Sequence, residues 1–144
     1  MAKALIVYAT RTGETEQIAN LIAEGIRIGG QEAVVVNANE IKNESQLEGY
    51  EAHVFGSATY HGGMIESMKR ILFLAEKADL TGRVGAAFGA FGWSGEAPQR
   101  IYDTMRHIFH MDMVKDALRL KSAALEGGVP MAHDYGREIA TKMA

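Results

Sequence analysis

The sequence predicts an α/β fold: a doubly wound, five-stranded parallel sheet with helices on both faces. Two observations carry this. Short apolar runs alternate with amphipathic stretches along the whole chain, so strands are joined by crossover helices and the sheet is parallel and covered twice. The runs are apolar at nearly every position rather than at alternate ones, as strands buried on both faces require. A third observation locates the chemistry. Glycines and hydroxyls cluster directly after the apolar runs, at the carboxyl ends of the strands, where open α/β sheets place their ligand crevice.

The first strand is Ala4 to Tyr8. A hydroxyl-rich turn follows, and a helix opens near Glu16, with Ile18, Leu21, Ile22 and Ile26 on one face and Gly29-Gly30 at its end. Ala33 to Val36 is the second strand. Asn37 to Gly49 is polar, with a short helix near Glu44 to Leu47. Ala52 to Phe55 is the third strand, ending at Gly56-Ser57, and Ala58 to Gly63 is the loop after it. Ile65, Met68, Ile71, Leu72 and Ala75 stripe the second long helix. Val84 to Phe88 is the fourth strand, followed by a glycine- and aromatic-rich loop, Gly89 to Gly95. Ile101, Met105, Ile108 and Phe109 mark a helix, Met113 to Leu120 an irregular fifth strand, and Tyr135, Ile139 and Met143 a last helix.

Composition bounds the function. The 144 residues fit one domain spanning 1–144, with no linker or repeat. Hydrophobic residues at 47% and charged residues at 23% are ordinary for a globular protein. The net charge of -3 and the lack of a basic patch argue against nucleic acid. The absence of cysteine removes disulfides, thiolate-ligated clusters and thiol catalysis. Met1-Ala2-Lys3 runs straight into the first strand, and no apolar run is long enough for a signal peptide or a membrane span. A cytoplasmic protein without membrane partners is expected.

The loops after strands one, three and four should converge on one crevice. The first, Thr10-Arg11-Thr12-Gly13-Glu14-Thr15, joins a buried strand to a helix start, where amides without internal acceptors and the helix dipole favour an anion. Three hydroxyls surround a glycine that lets backbone approach closely, and no lysine is present. That composition suits a single phosphate held by neutral donors. The competing reading, that the threonines only cap the helix, needs just one of them. A receiver domain would need acids at the ends of strands one and three, and a low-molecular-weight phosphatase would need cysteine. The dinucleotide glycine fingerprint and the lysine-bearing phosphate loop are also missing.

The first loop resembles the phosphate loop of flavodoxins, [ST]-x-T-G-x-T, through Thr10, Thr12, Gly13 and Thr15, with Glu14 where that family commonly has asparagine. Phe55 to Tyr60 resembles the family's third strand and flavin loop. Ala86 to Glu96 is similar to the flavodoxin domain of A-type flavoproteins, the flavodiiron proteins. The chain lacks their diiron module and the fifth-strand insertion of long-chain flavodoxins, so it resembles a free-standing short-chain flavodoxin with a flavodoxin-like fold. The resemblance implies non-covalently bound FMN and no metal. It implies contacts from Thr10, Arg11, Thr12, Gly13, Glu14 and Thr15, then Ser57, Ala58, Thr59, Tyr60, His61, Gly62 and Gly63, then Ala90, Phe91, Gly92, Trp93 and Gly95.

On this reading Tyr60 and either Trp93 or Phe91 flank the flavin ring, and Arg11 points to solvent beside Glu14 or Glu16. The turn Tyr60-His61-Gly62-Gly63 allows a peptide flip that requires positive φ at Gly62. The flip turns a carbonyl toward the protonated ring nitrogen of the semiquinone. His61 is either solvated or, below the ordinary imidazole pKa of about 6.5, a cation favouring reduced flavin. The eight methionines are core filler, and His107 and His110 an incidental helix pair. A dry crevice near acids implies a low potential for the second electron.

The implied function is a monomeric low-potential one-electron carrier, not an enzyme, shuttling between semiquinone and hydroquinone. Its implied partners are larger redox proteins: reductases, hydrogenase- or pyruvate-oxidoreductase-type enzymes, or a diiron flavoprotein. A small FMN-dependent oxidoreductase acting on a quinone-like substrate, and a flavin-free regulatory module, are the other two classes.

Overall fold

The computed structural model describes residues 1–60, 62–91, 95–121 and 127–144. β1 (Lys3–Ala9) leads into α1 (Glu14–Ile28), which returns to β2 (Glu32–Asn37). Two 3-10 turns, Ala38–Glu40 and Glu44–Leu47, connect to β3 (Ala52–Ser57). A small hairpin follows, β4 (Thr59–Tyr60) and β5 (Gly63–Met64), and then α2 (Glu66–Ala78) and β6 (Val84–Ala90). α3 (Glu96–Asp103) continues into a π-helical turn, Thr104–Ile108, before β7 (Asp112–Met113), β8 (Leu118–Leu120) and α4 (Gly128–Met143).

The main sheet runs in the order β2-β1-β3-β6, and β7 and β8 share the place beyond β6. All its pairings are parallel. The strand order reverses between β1 and β3, and that switch opens the crevice at their carboxyl ends. The expected irregular fifth strand is thus two short pieces. Tyr135 of α4 explains part of the break: its buried hydroxyl lies 3.1 Å from the carbonyl of Ala87 in β6 and 3.0 Å from that of Asp116 in the link between β7 and β8. The link leaves the ladder to reach it. Two further boundaries differ from the sequence reading. α1 opens at Glu14 rather than near Glu16, and β6 runs to Ala90, so Gly89 and Ala90 are strand rather than loop residues.

The core has two halves, one on each face, because successive residues of a strand point to opposite sides. Ile6 and Tyr8 of β1 face α1 and α4 with Ile18, Ile22, Ile26, Phe88 and Ile139. Leu5 and Val7 face α2 and α3 with Phe55, Met68, Ile71, Ile101 and Met105. Each fully buried side chain of this size contributes about 1.5–3 kcal/mol. On the first face α1 and α4 approach so closely that glycine is needed on both. A Cβ on Gly25 would lie 2.2 Å from the His133 carbonyl oxygen, and one on Gly136 would lie 2.2 Å from that of Ile22.

The core also holds His53, 1% exposed in β3, with Nε2 2.6 Å from the Leu47 carbonyl and Nδ1 without a partner. Burial pushes its pKa below the ordinary histidine value. The unfolded chain therefore binds this proton more readily than the folded one, so stability falls as pH drops below about 6.5. Thermal melts between neutral pH and pH 5 should show Tm declining, and His53→Phe, which cannot take up a proton, should flatten that slope. An unchanged slope in the variant would remove His53 as the cause.

Candidate functional site

Three strand ends build the crevice. Where β1 stops, Thr10 Oγ1 accepts a hydrogen bond from the Gly13 amide at 2.9 Å, which folds the loop back on itself. Gly13 takes φ +90° as the N-cap of α1, a left-handed conformation that glycine adopts without strain. No side chain among the described residues caps this helix. The threonines therefore are not its caps, and its first amides face the loop with the positive end of the helix dipole behind them. Thr15 is 0% exposed, yet its Oγ1 has no hydrogen-bond partner. A buried hydroxyl without a partner is unfavourable by itself.

The end of β3 is tied to both neighbours. The Ala58 amide donates to the Ala9 carbonyl at 3.3 Å. Ser57, fully buried, donates from Oγ to the Ala58 carbonyl at 2.9 Å and accepts from the Ile65 amide at 3.0 Å. Its side chain thus closes the hairpin loop from below and lies outside the cavity lining. Thr59 Oγ1 accepts from the Ala97 amide at 3.2 Å, joining the hairpin to the start of α3. The hairpin pairs Tyr60 with Gly63. Gly62 sits at the turn with φ +75°, as the expected turn geometry demands. Tyr60 is 45% exposed.

At the end of β6, Gly89 permits a close approach. A Cβ there would lie 2.1 Å from the Ser57 carbonyl oxygen. The Phe91 amide donates to the Leu120 carbonyl at 3.0 Å, so the third loop leaves the sheet alongside β8. Gly95 passes against Arg119, where a Cβ would meet the side chain at 2.7 Å.

Together these segments enclose a cavity of about 700 Å³ lined by Arg11, Thr12, Glu14, Thr15, Ala58, Thr59, Tyr60, Ala90, Phe91 and Lys121. The hydroxyls and the first amides of α1 suit a phosphate, and Tyr60 and Phe91 in the same lining suit a flat ring. Gly63 lies in the hairpin beside an adjoining cavity rather than in this one. His61, Gly92 and Trp93 lie outside the described residues.

The expected pairing of Arg11 is corrected by the structure. Arg11 does not pair with Glu14 or Glu16: its guanidinium lies over the Tyr60 ring, 3.9 Å from the centroid. Glu16 instead accepts from the Tyr8 hydroxyl at 2.9 Å. The delocalised guanidinium stacks well on an aromatic face, whereas an exposed ion pair gains little in water. Lys121 was missed altogether. It is the first residue after β8, and the strand register brings it to the crevice. No metal-binding group of histidine and carboxylate residues occurs among the described residues, and no helix there is long and apolar enough to cross a membrane.

The flavodoxin family model matches residues 6–117. A flavodoxin of Clostridium saccharobutylicum is 30% identical over 132 residues, which cover 91% of this chain and 79% of that protein. The type A flavoprotein fprA of Rhodobacter capsulatus is 28% identical over 140 residues, 94% of this chain but 32% of that protein, so the chain spans about a third of this larger relative. The solved structure of a flavodoxin from the domain Archaea superposes with a TM-score of 0.91 at 30% identity, covering 98% of both chains.

Proposed function

The chain belongs to the flavodoxin family and is an electron-transfer protein that uses FMN; on that premise we propose that it is a low-potential, one-electron carrier serving larger redox proteins. It acts on no substrate of its own, works as a monomer in the cytoplasm, and docks reductases, hydrogenase- or pyruvate-oxidoreductase-type enzymes or a diiron flavoprotein. Bound FMN supplies the redox chemistry, taking up and releasing electrons one at a time.

The observation that carries the site assignment is the partnerless buried Thr15 Oγ1 at the phosphate end of the cavity. Thr15 and the amides of the first turn of α1 bind the phosphate, and Thr12 adds a further hydroxyl at the rim. Thr10 holds the loop in shape. Phe91 and Tyr60 flank the ring and exclude water from its faces, each such contact contributing about 1 kcal/mol beyond burial. Arg11 braces Tyr60. The exposed edge of Tyr60 leaves one side of the ring within reach of a partner. Among the other residues proposed for the cofactor, Ser57, Ala58 and Thr59 fix the hairpin, Ala90 forms the floor, and Gly95 allows the third loop past Arg119.

Stepwise anaerobic reduction after incubation with FMN, followed by visible absorption, tests this. Two resolved one-electron steps are expected; a single two-electron step would point to a hydride-handling enzyme, and no retained flavin would overturn the cofactor site. The positive φ of Gly62 supports the peptide switch. Alanine is strained in that region, so Gly62→Ala should bring the two steps closer together in potential. An unchanged separation would exclude the switch.

A further inference from the structure

We propose that Lys121 is a positioning cation of the flavin site, set beside the ring rather than the phosphate, that favours the fully reduced cofactor and raises the potential of the second electron. The proposal rests on the FMN reading above and goes beyond it.

The sequence reading expects an acidic, dry crevice and therefore a strongly disfavoured anionic ring. The cavity has a different charge balance. Among the described residues its charged lining is Arg11, Lys121 and Glu14, two cations and one carboxylate. Glu14 stands in the first turn of α1, at the phosphate end. The Arg11 guanidinium is stacked on Tyr60. Lys121 makes no ion pair with a carboxylate among the described residues.

The backbone fixes where that charge originates. Ala90 is registered with Leu120, and the Phe91 amide donates to the Leu120 carbonyl at 3.0 Å. Lys121 therefore leaves the sheet next to Phe91, one of the ring's two walls. The phosphate loop follows β1, and two strands, β3 and β6, lie between β1 and β8. The Lys121 backbone thus stands on the Phe91 side of the cavity, away from the loop after β1.

The physical consequence is differential binding. The oxidised ring is neutral, whereas the fully reduced ring carries negative charge. A neighbouring cation stabilises the second more than the first, so reduction and affinity are linked. No proton needs to leave Lys121, and no other reactant is required. Because the side chain is exposed, the effect is moderate and sensitive to salt.

The test compares the holoprotein with Lys121→Gln and Lys121→Arg. FMN affinity is measured in the oxidised and fully reduced states, with the potential of each reduction step. Lys121→Gln should lower the ratio of reduced-state to oxidised-state affinity by about tenfold, equivalent to about 59 mV in a one-electron potential. Lys121→Arg should keep most of the wild-type ratio, and the difference between wild type and Lys121→Gln should shrink as potassium chloride is raised. Riboflavin, which lacks the phosphate, should show the same loss in its reduced state.

Equal weakening of both oxidation states, a loss confined to FMN, or equal effects of the two variants would overturn the proposal. So would FMN held by Lys121→Gln at an unchanged second potential. Wild-type protein that binds no FMN would overturn the underlying flavin reading instead, which keeps the two failures apart.

Discussion

Replacing Thr15 by valine is expected to weaken FMN binding by about ten- to a hundredfold while making the FMN-free protein more stable. The two effects have opposite signs because the same atom serves two states. Without ligand, Oγ1 is fully buried and has no partner, so exchanging the hydroxyl for a methyl group of similar shape removes an uncompensated polar group. That should raise the stability of the free protein by about 1 kcal/mol. With ligand, a hydrogen bond to a charged phosphate is lost, worth about 1.5–3 kcal/mol. Flavin fluorescence titration gives the first quantity and thermal melts of stripped protein give the second. Riboflavin serves as control, since its affinity should not change. A variant that binds FMN as tightly as wild type would show that the phosphate lies elsewhere.

Gly136→Ala should destabilise the fold by about 3 kcal/mol, lowering Tm by about 10 °C, even though alanine is the better helix former by about 1 kcal/mol. The added Cβ would lie 2.2 Å from the Ile22 carbonyl oxygen and 2.9 Å from both the Gly25 Cα and the Ile26 amide nitrogen. These are backbone atoms of another helix and cannot rotate away. α1 and α4 must separate, opening the layer that holds Ile18, Ile22 and Ile139. The phosphate loop is the entry to α1, so displacement of that helix should also reduce FMN affinity. Retention of wild-type Tm would mean that the two helices do not pack in this register.

Much of this arrangement was legible in the residues. Ala4 to Tyr8 and Ala52 to Phe55 are apolar at almost every position, as a strand covered on both sides requires. The same logic, applied strictly, places His53 in the core, because a residue inside such a run has no exposed face to occupy. Met113 to Leu120 was ambiguous for a physical reason: Lys115 and Asp116 interrupt the apolar pattern, and the attraction of the Asp116 carbonyl to Tyr135 comes from a helix that begins only at Gly128. The crevice loops could be read from their glycines and hydroxyls. Lys121 could not, since an exposed lysine after Leu118-Arg119-Leu120 looks like any surface charge until the register of β8 against β6 is known. The Arg11–Tyr60 stack was likewise hidden, because it joins loops that follow different strands.

The seating of α1 against α4 also sets a timetable for biosynthesis. The helix that follows the first loop is complete by Ile28 and packs on β1, but the rest of the surface it rests on is made from residues 132–140. A nascent chain emerging at about 5–20 residues per second therefore has its cofactor motif long before it has a fold able to hold the cofactor. Until α4 leaves the ribosome, the side of α1 that packs on α4 stays uncovered and the loop closure between these two distant helices is still outstanding. Flavin capture therefore waits on α4, whose arrival seats α1 and with it the loop that opens that helix.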